Sequence, residues 1–352
     1  MPPEWTAHEA TWLAWPHNLE TWPGGKLAEV EKIYLAMIEA LLPHEKVKLL
    51  VKDQNEKGQV LIKLKAAGLR NLKNLILIQK PTVDAWIRDY GPTFVTNRPP
   101  LHALPFPEEE GGGREKKAYI KWIFNGWGNK YPSFVPDTRV FEDKDLIPDR
   151  GFEAGFVLEG GSIEVNGEGI CMTTESCLLN KNRNPQFSQK EIEENLRKFL
   201  GVSEILWLNE GIAGDDTDGH IDDLARFVAP KVILAAVEED SKDGNYSVLK
   251  KNWEILKRAA SGEVKRFDIL EFPMPGGVVN ADNGERLPAS YTNFYLANGV
   301  VLLPVYRHKN DERAIKILKE FFPRHLMVPI DCNALVYGLG ALHCVTQQEP
   351  VV

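Results

Sequence analysis

Between residues 27 and 42 the apolar positions Leu27, Val30, Tyr34, Met37 and Leu41 step by three and four, the spacing of one helical face. Pro43 ends that run, and the apolar stretch 47–51 behind it predicts a short buried strand. The same phrase, helix then strand, recurs four times. Residues 59–67 lead to 75–78. Residues 189–200 open on Ser188 with Glu191 three positions on, a capping box, and stop at Gly201 before a strand at 205–207. Residues 249–260 place Leu249, Trp253, Leu256 and Ala260 on one face, stop at Gly262 and lead to 264–270. Residues 314–321 stop at Pro323 and lead to 326–330. Further strands are predicted at 12–15, 119–124, 156–158, 162–165, 232–237 and 300–305, with Asn166-Gly167 marking a hairpin turn. The last three helices begin roughly 60 residues apart, compatible with an internal repeat that the first two, lying closer together, follow imperfectly. The pattern is α/β.

The chain has 352 residues, enough for one large α/β domain or two smaller ones. No boundary is visible, so one domain over 1–352 is expected. The one low-complexity stretch, 105–117, mixes Glu, Gly and basic residues and reads as an exposed insertion. A net charge of −8 offers no footprint for nucleic acid or an acidic membrane surface, and mildly favours a cationic ligand. No apolar run approaches the length of a membrane span. The first residues carry neither a basic leader nor an apolar core, so the expected compartment is the cytoplasm. Cys171, Cys177 and Cys332 sit in apolar contexts and read as core. None of the four cysteines forms a C-x-x-C pair, and a chain of this size needs no disulfide framework.

Candidate chemistry concentrates in four places. From Gly214 to Phe227, five carboxylates and His220 fall within nine residues. If 221–227 is a strand, His220 and Asp222 share a face, about 7 Å apart at roughly 3.3 Å per residue. A base and a carboxylate on one face suit chemistry on a cation; an Asp-rich turn is also an ordinary solvated loop. Trp86-Ile-Arg-Asp89-Tyr-Gly-Pro92 sets Asp89 before a turn, either in a pocket walled by Trp86 or in a surface pair with Arg88. Glu159 precedes Gly160-Gly161, where a backbone without side chains permits close approach to a ligand, or merely a bend. Cys344 follows a glycine-rich segment and precedes polar residues, unlike a core cysteine. His343 is its neighbour in sequence, but adjacent side chains point apart, so His220 is the better partner for a reactive thiol.

Metal motifs fail on spacing. Aligning Gly219 with the invariant glycine of an EF-hand puts Gly214 and Ala225 at ligand positions. Cys171 and Cys177 lack a second pair for zinc. Phosphate-binding glycine patterns and nucleophile elbows are also missing.

Taken together, the motifs resemble the agmatine deiminase branch of the guanidine-modifying (amidinotransferase/pentein) superfamily. The likeness runs from Glu4-Trp5 and His8–Pro16 through Trp86–Pro92, Phe124–Gly128, Leu158–Ile163, Thr173–Asn180, Asn182–Pro185, Gly214–Phe227 and Leu287–Tyr291 to Gly338–Gln348. Only the 105–117 stretch finds no match. The resemblance implies a pentein fold, a five-bladed α/β propeller of ββαβ-type units with pseudo-fivefold symmetry and the site in its central channel. It implies Cys344 as nucleophile, His220 as general acid/base, and Asp89 and Asp222 as the pair that holds a guanidinium. Glu159 is implied as a further guanidinium or His220 partner and Asp216 as a substrate-contacting carboxylate; Trp86 is a substrate-binding candidate from the reading of its own stretch, as an apolar wall or a cation–π face. The implied reaction converts agmatine to N-carbamoylputrescine and ammonia through a thiouronium, in arginine-to-putrescine polyamine synthesis. No cofactor or metal is expected, nor a nucleic-acid or membrane partner, while a homo-oligomer is allowed. Two alternatives are an arginine or peptidylarginine deiminase, recognised by a donor for the α-carboxyl group with Arg88 and Arg226 as candidates, and a non-catalytic guanidine-binding protein.

Overall fold

A computed structural model describes residues 1–97, 116–143, 146–147, 150–261, 266–280 and 282–352. The expected insertion at 105–117 lies outside the described residues except for its end, where Lys117 already opens a strand.

The strands of the described residues form five small sheets. In the first, β1 (His8–Ala14), β2 (Lys46–Val51) and β3 (Leu75–Gln79) run parallel, joined by the helices Lys26–Leu41 and Gln54–Ala66. The second holds β4 (Thr93–Thr96), β5 (Lys117–Ile123) and β6 (Arg150–Val157); the third β7 (Glu164–Val165), β8 (Ile170–Thr174) and β9 (Glu204–Leu208). The fourth holds β10 (Ala225–Ala229), β11 (Val232–Val237) and β12 (Asp268–Pro273); the fifth β13 (Tyr295–Ala297), β14 (Val300–Val305) and β15 (Leu326–Asp331). In each of these four the first two strands pair antiparallel and the third returns parallel, the geometry a crossover connection requires. β16 (Gln347–Pro350) goes back to the first sheet and pairs antiparallel with β1, with Thr11 opposite Gln348. The two ends of the chain are thus sewn together.

Local chemistry explains most boundaries. Ser188 and Glu191 form the expected reciprocal cap on the helix Gln189–Leu200, and Gly201 ends it at φ 70°. That helix buries Ile192, Leu196 and Leu200, each worth about 1.5–3 kcal/mol when fully removed from water. The helix expected at 59–67 starts earlier, because Asp53 caps it by accepting from the Glu56 amide. The helices Gln189–Leu200, Tyr246–Ala260 and Asp311–Phe321 cross the third, fourth and fifth sheets, matching the imperfect repeat.

The five helix–strand phrases do not fall one to each sheet: two fall in the first, and the second has no such helix among its described residues. Its crossover is the single turn Gly126–Asn129 followed by 3-10 turns over Pro132–Glu142. Left-handed backbone from Gly126 to Asn129, and Pro132 and Pro136 after it, prevent a continuous α-helix. Nor is 221–227 a strand throughout. Ile221–Asp223 is a 3-10 turn closed by the Leu224 amide on the Ile221 carbonyl, and β10 begins only at Ala225. The alternation argument for His220 and Asp222 therefore fails. Asn166-Gly167 does lie in a turn, but a longer one, with the Asn166 side chain accepting from the amides of Glu168 and Ile170.

A regularity emerges from this topology. The strands β4, β7, β10, β13 and β16 each begin a few residues after a short turn or loop, and those entry segments contain Asp89, Glu159, His220 with Asp222, Asn293, and His343 with Cys344.

Candidate active site

Asp89 sits in the one-turn helix Ile87–Tyr90, and it and Arg88 are both buried, which removes the surface-pair reading. Trp127 Nε1–H donates to Asp89 Oδ2 at 2.8 Å, and the Gly161 amide donates to Oδ1 at 3.0 Å. Arg88 stitches this turn to the C-terminal one. Its amide and Nε–H donate to the carbonyls of Cys344 and His343, and its guanidinium to Gln348.

The two glycines after Glu159 are required by what surrounds them. A Cβ on Gly160 would lie 2.2 Å from the Arg88 carbonyl oxygen. One on Gly161 would lie 2.5 Å from His220 Nδ1, 3.0 Å from Asp89 Oδ1 and 3.1 Å from Asp222 Oδ2. Asp89, His220 and Asp222 therefore converge over one bare backbone position, brought together by the fold and not by strand alternation. Glu159 is fully buried; Arg183 Nε–H donates to its Oε1 at 2.8 Å, while Oε2 has no partner among the described residues.

The five carboxylates of the Asp-rich stretch divide the labour. Asp215 holds the loop, accepting from the Thr217 amide and hydroxyl and from the His220 amide. Asp218 pairs with Arg183 and Lys130. Asp216 receives the Tyr131 hydroxyl and lines a cavity. Asp222 pairs through Oδ2 with His343 Nδ1 at 2.6 Å, and its buried Oδ1 has no partner among the described residues. Asp223 accepts from Asn293 Nδ2.

Cys344 Sγ lies 4.0 Å from Asp222 Oδ2 and 3.2 Å from Asn293 Nδ2. Asn293 Oδ1 accepts from the amides of His343 and Cys344, so one amide side chain clamps the turn and faces the sulfur. His343 turns away from the sulfur, as expected of a sequence neighbour, and bridges Asp222 to Glu4. Glu4 also pairs with Arg226 at 2.9 Å.

Asp89 and Cys344 occupy the deep end of a cavity of about 330 Å³. Trp86, Trp127 and Leu339 form its walls, and Glu20, Asp216 and Tyr337 lie toward the more exposed end. None of its described lining residues is Lys or Arg. The field in the site is accordingly negative. Burial, reinforced by Asp222, Asp223 and Asp89, pushes the Cys344 thiol well above its usual range. Burial alone would lower His220, but Asp89, Cys177 and Asp222 together outweigh it and the imidazole is raised. Burial raises Asp89; Asp222, despite burial, is held low by His343.

A family profile described as Porphyromonas-type peptidyl-arginine deiminase matches residues 1–350. The chain belongs to this family of C–N hydrolases. Agmatine deiminase of Stutzerimonas stutzeri is 35% identical, the match covering 99% of this chain and 95% of that one. Agmatine deiminase of Medicago truncatula is 33% identical over 100% and 96%. A cysteine-to-serine variant of C. jejuni agmatine deiminase, solved with substrate bound, is 32% identical and superposes with a TM-score of 0.80 over 99% of this chain and 95% of that one. An amidinotransferase from Microseira wollei, 14% identical with a TM-score of 0.52, shares the fold alone. The fold is the pentein fold, as the resemblance implied.

Within this deiminase the expected residues Cys344, Asp89, Trp86 and Asp216 line one cavity, and His220 and Asp222 meet Asp89 over Gly161. Glu159 lies behind His220, within 4.8 Å of it, together with Cys177. Cys177 is buried as expected of a core residue, but it also abuts the imidazole. This trio is the group among the described residues able to approach one ion, and the Arg183 guanidinium already supplies its positive charge. Asn293, Glu4, Trp127 and Arg183 were not picked out as individual residues. Asn293 lies two residues beyond the Leu287–Tyr291 motif, and its place before β13, equivalent to that of Asp89 before β4, is the signal that finds it. No helix among the described residues is long and apolar enough to cross a membrane.

Proposed function

We propose that the protein hydrolyses agmatine to N-carbamoylputrescine and ammonia, with Cys344 as nucleophile and His220 as general acid and base. The observation that carries this is a buried thiol 4.0 Å from Asp222 that lines, together with Asp89, a cavity whose described lining has no cationic side chain. The Oδ1 of Asp222, without a partner among the described residues, is a buried acceptor that a guanidinium N–H would satisfy. Asp89, whose oxygens are oriented by Trp127 and Gly161, supports the opposite side of the fork.

Without substrate, burial and the surrounding carboxylates push the Cys344 thiol up, which favours its protonated form. A bound guanidinium brings positive charge into that field and lowers the thiol, so substrate binding releases the thiol proton to solvent and favours the thiolate. The thiolate adds to the guanidinium carbon. His220, held protonated by Asp89, gives its proton to the departing ammonia, and a Cys344 thiouronium remains. Neutral His220 then takes a proton from water, whose oxygen adds to the same carbon. Collapse breaks the C–S bond and leaves the ureido product. Glu159, fixed by Arg183 behind the imidazole, orients His220. Asn293 Nδ2–H stabilises the sulfur anion, and Asp216 at the rim faces the distal ammonium. The ureido product is one hydrolysis from putrescine, which suits polyamine synthesis from arginine.

Free arginine would bring a carboxylate into an acidic cavity. The two candidate donors do not meet it: Arg226 is spent on Glu4, Glu164 and the carbonyls of Thr292 and Phe294, and Arg88 on Gln348 and His343. The test is ammonia release from agmatine, L-arginine and a blocked arginine peptide at equal concentration, with Cys344→Ala alongside. Release from agmatine alone, abolished in the variant, is expected. Release from arginine instead overturns the substrate, and full activity of Cys344→Ala overturns the mechanism.

A further inference from the structure

We propose that Leu339 is a specificity-determining wall that admits unbranched alkylguanidines and keeps out those substituted next to the distal nitrogen. The inference rests on the agmatine-hydrolysing reading of the same cavity.

Five described non-glycine residues have positive φ: Trp127, Asn129, Asp218, Arg307 and Leu339. Asn and Asp tolerate the left-handed region because their short polar side chains bond locally; a tryptophan or leucine is held there against its steric preference. Trp127 and Leu339, the two apolar residues of the five, both line the catalytic cavity. Trp127 has an evident task, since its indole N–H donates to Asp89. Leu339 (φ 71°, ψ 24°) has no polar side-chain group to place; its amide closes the 3-10 turn Val336–Gly338 on the Val336 carbonyl, a task any residue could serve, while its aliphatic side chain lines the cavity.

The flanking residues show why the bulk sits here. A Cβ on Gly338 would come within 2.8 Å of Thr21 and Trp22, and one on Gly340 within 2.5 Å of Trp86 and 3.1 Å of the Cys344 Cβ. The loop is pressed between these groups, so position 339 is where it carries a side chain. A side chain at Gly340 would meet the Cys344 Cβ, and the chain passes from buried at Gly340 to half-buried at Leu339 and Tyr337, so Leu339 follows the sulfur on the way toward solvent. In arginine that stretch of substrate carries the α-substituent; in agmatine it carries only methylene hydrogens. An aliphatic wall there packs on a methylene chain and clashes with, or desolvates, a polar branch.

The experiment compares kcat/KM for agmatine with that for a neutral Nα-acyl-arginine amide, which carries the branch without a carboxylate. Leu339→Ala and Leu339→Gly are each expected to lower the agmatine-to-amide ratio by tenfold or more, while Leu339→Met, which keeps the bulk, stays within threefold of the parent. Melting curves exclude unfolding as the cause. An unchanged ratio in both truncations overturns the proposal. So does a change in Leu339→Gly alone, which would trace the effect to released backbone strain. A parent enzyme that is inactive on agmatine sinks the underlying reading; a parent selective for agmatine with unchanged selectivity in both truncations sinks only the role of Leu339.

Discussion

Replacing Asn293 by alanine removes one amide and leaves several groups to adjust. Its Nδ2 donates to Cys344 Sγ at 3.2 Å and to Asp223 Oδ1 at 3.0 Å, and its Oδ1 accepts from the His343 amide at 2.9 Å. The contacts to Asp223 and to the His343 amide exist before the reaction starts, and at about 1 kcal/mol each their loss lowers stability without acting on the barrier directly. The contact to sulfur is different, because it strengthens when the thiol becomes a thiolate. A hydrogen bond to a charged group contributes roughly 1.5–3 kcal/mol. That is about one to two pKa units on Cys344 and about a 10- to 150-fold fall in kcat/KM. Alkylation by iodoacetamide reads the same quantity independently. Cys171, Cys177 and Cys332 are wholly buried, whereas Cys344 is 8% exposed. At pH 8, below its raised pKa, the alkylation rate follows the thiolate fraction and should fall by about 10- to 100-fold in Asn293→Ala. A variant whose alkylation rate matches the parent, and whose kcat/KM falls less than threefold, would refute the assignment of Asn293 to the sulfur.

Three other outcomes are expected. Gly161→Ala places a methyl against His220, Asp89 and Asp222 and should lower kcat/KM by at least about 100-fold, through a mispositioned site of the kind for which small displacements are costly; activity within fivefold of the parent would show that the three groups do not need to converge there. Asp89→Asn should raise KM and lower kcat together, because the carboxylate acts on the bound guanidinium and on His220; a change in only one of them contradicts that double role. Burial lifts Asp84 to about 6 and Asp137 to about 7, both above the unfolded value of 3.8. Their contribution to stability is fully present below about pH 4 and is lost as pH rises through 6 and 7, so Asp137→Asn should flatten the urea midpoint's pH dependence across that window. A parallel curve displaced by a constant amount would contradict the assignment.

The residues legible from the chain were those whose signal is local. Cys344, His220, Asp222 and Asp89 stand in short motifs with glycines beside them, and Ser188 with Glu191 announces a helix start within four residues. What escaped was set by contacts across the fold. His343 orients Asp222 from 121 positions away and meets Glu4 across 339, so neighbouring sequence could exclude it as the thiol's partner without revealing this other task. The second crossover looked no different from a loop, yet its left-handed run is what brings Trp127 to Asp89. The strand expected from Ile221 failed because the turn closes within three residues, a local bond that alternation of apolar and polar positions does not register.

The pairing of β16 with β1 also bears on when the protein becomes active. Cys344 lies three residues before β16, and its turn is held by Arg88, Asn293 and, through His343, Glu4. The contacts of Arg88 and Glu4 span most of the chain, so they belong to the slow, non-local class that forms late in folding. A ribosome-bound chain that has not yet reached residue 344 has neither the Cys344 thiol, which we propose as nucleophile, nor the strand that pairs with β1. Synthesis itself therefore delays guanidine hydrolysis until the ring can close.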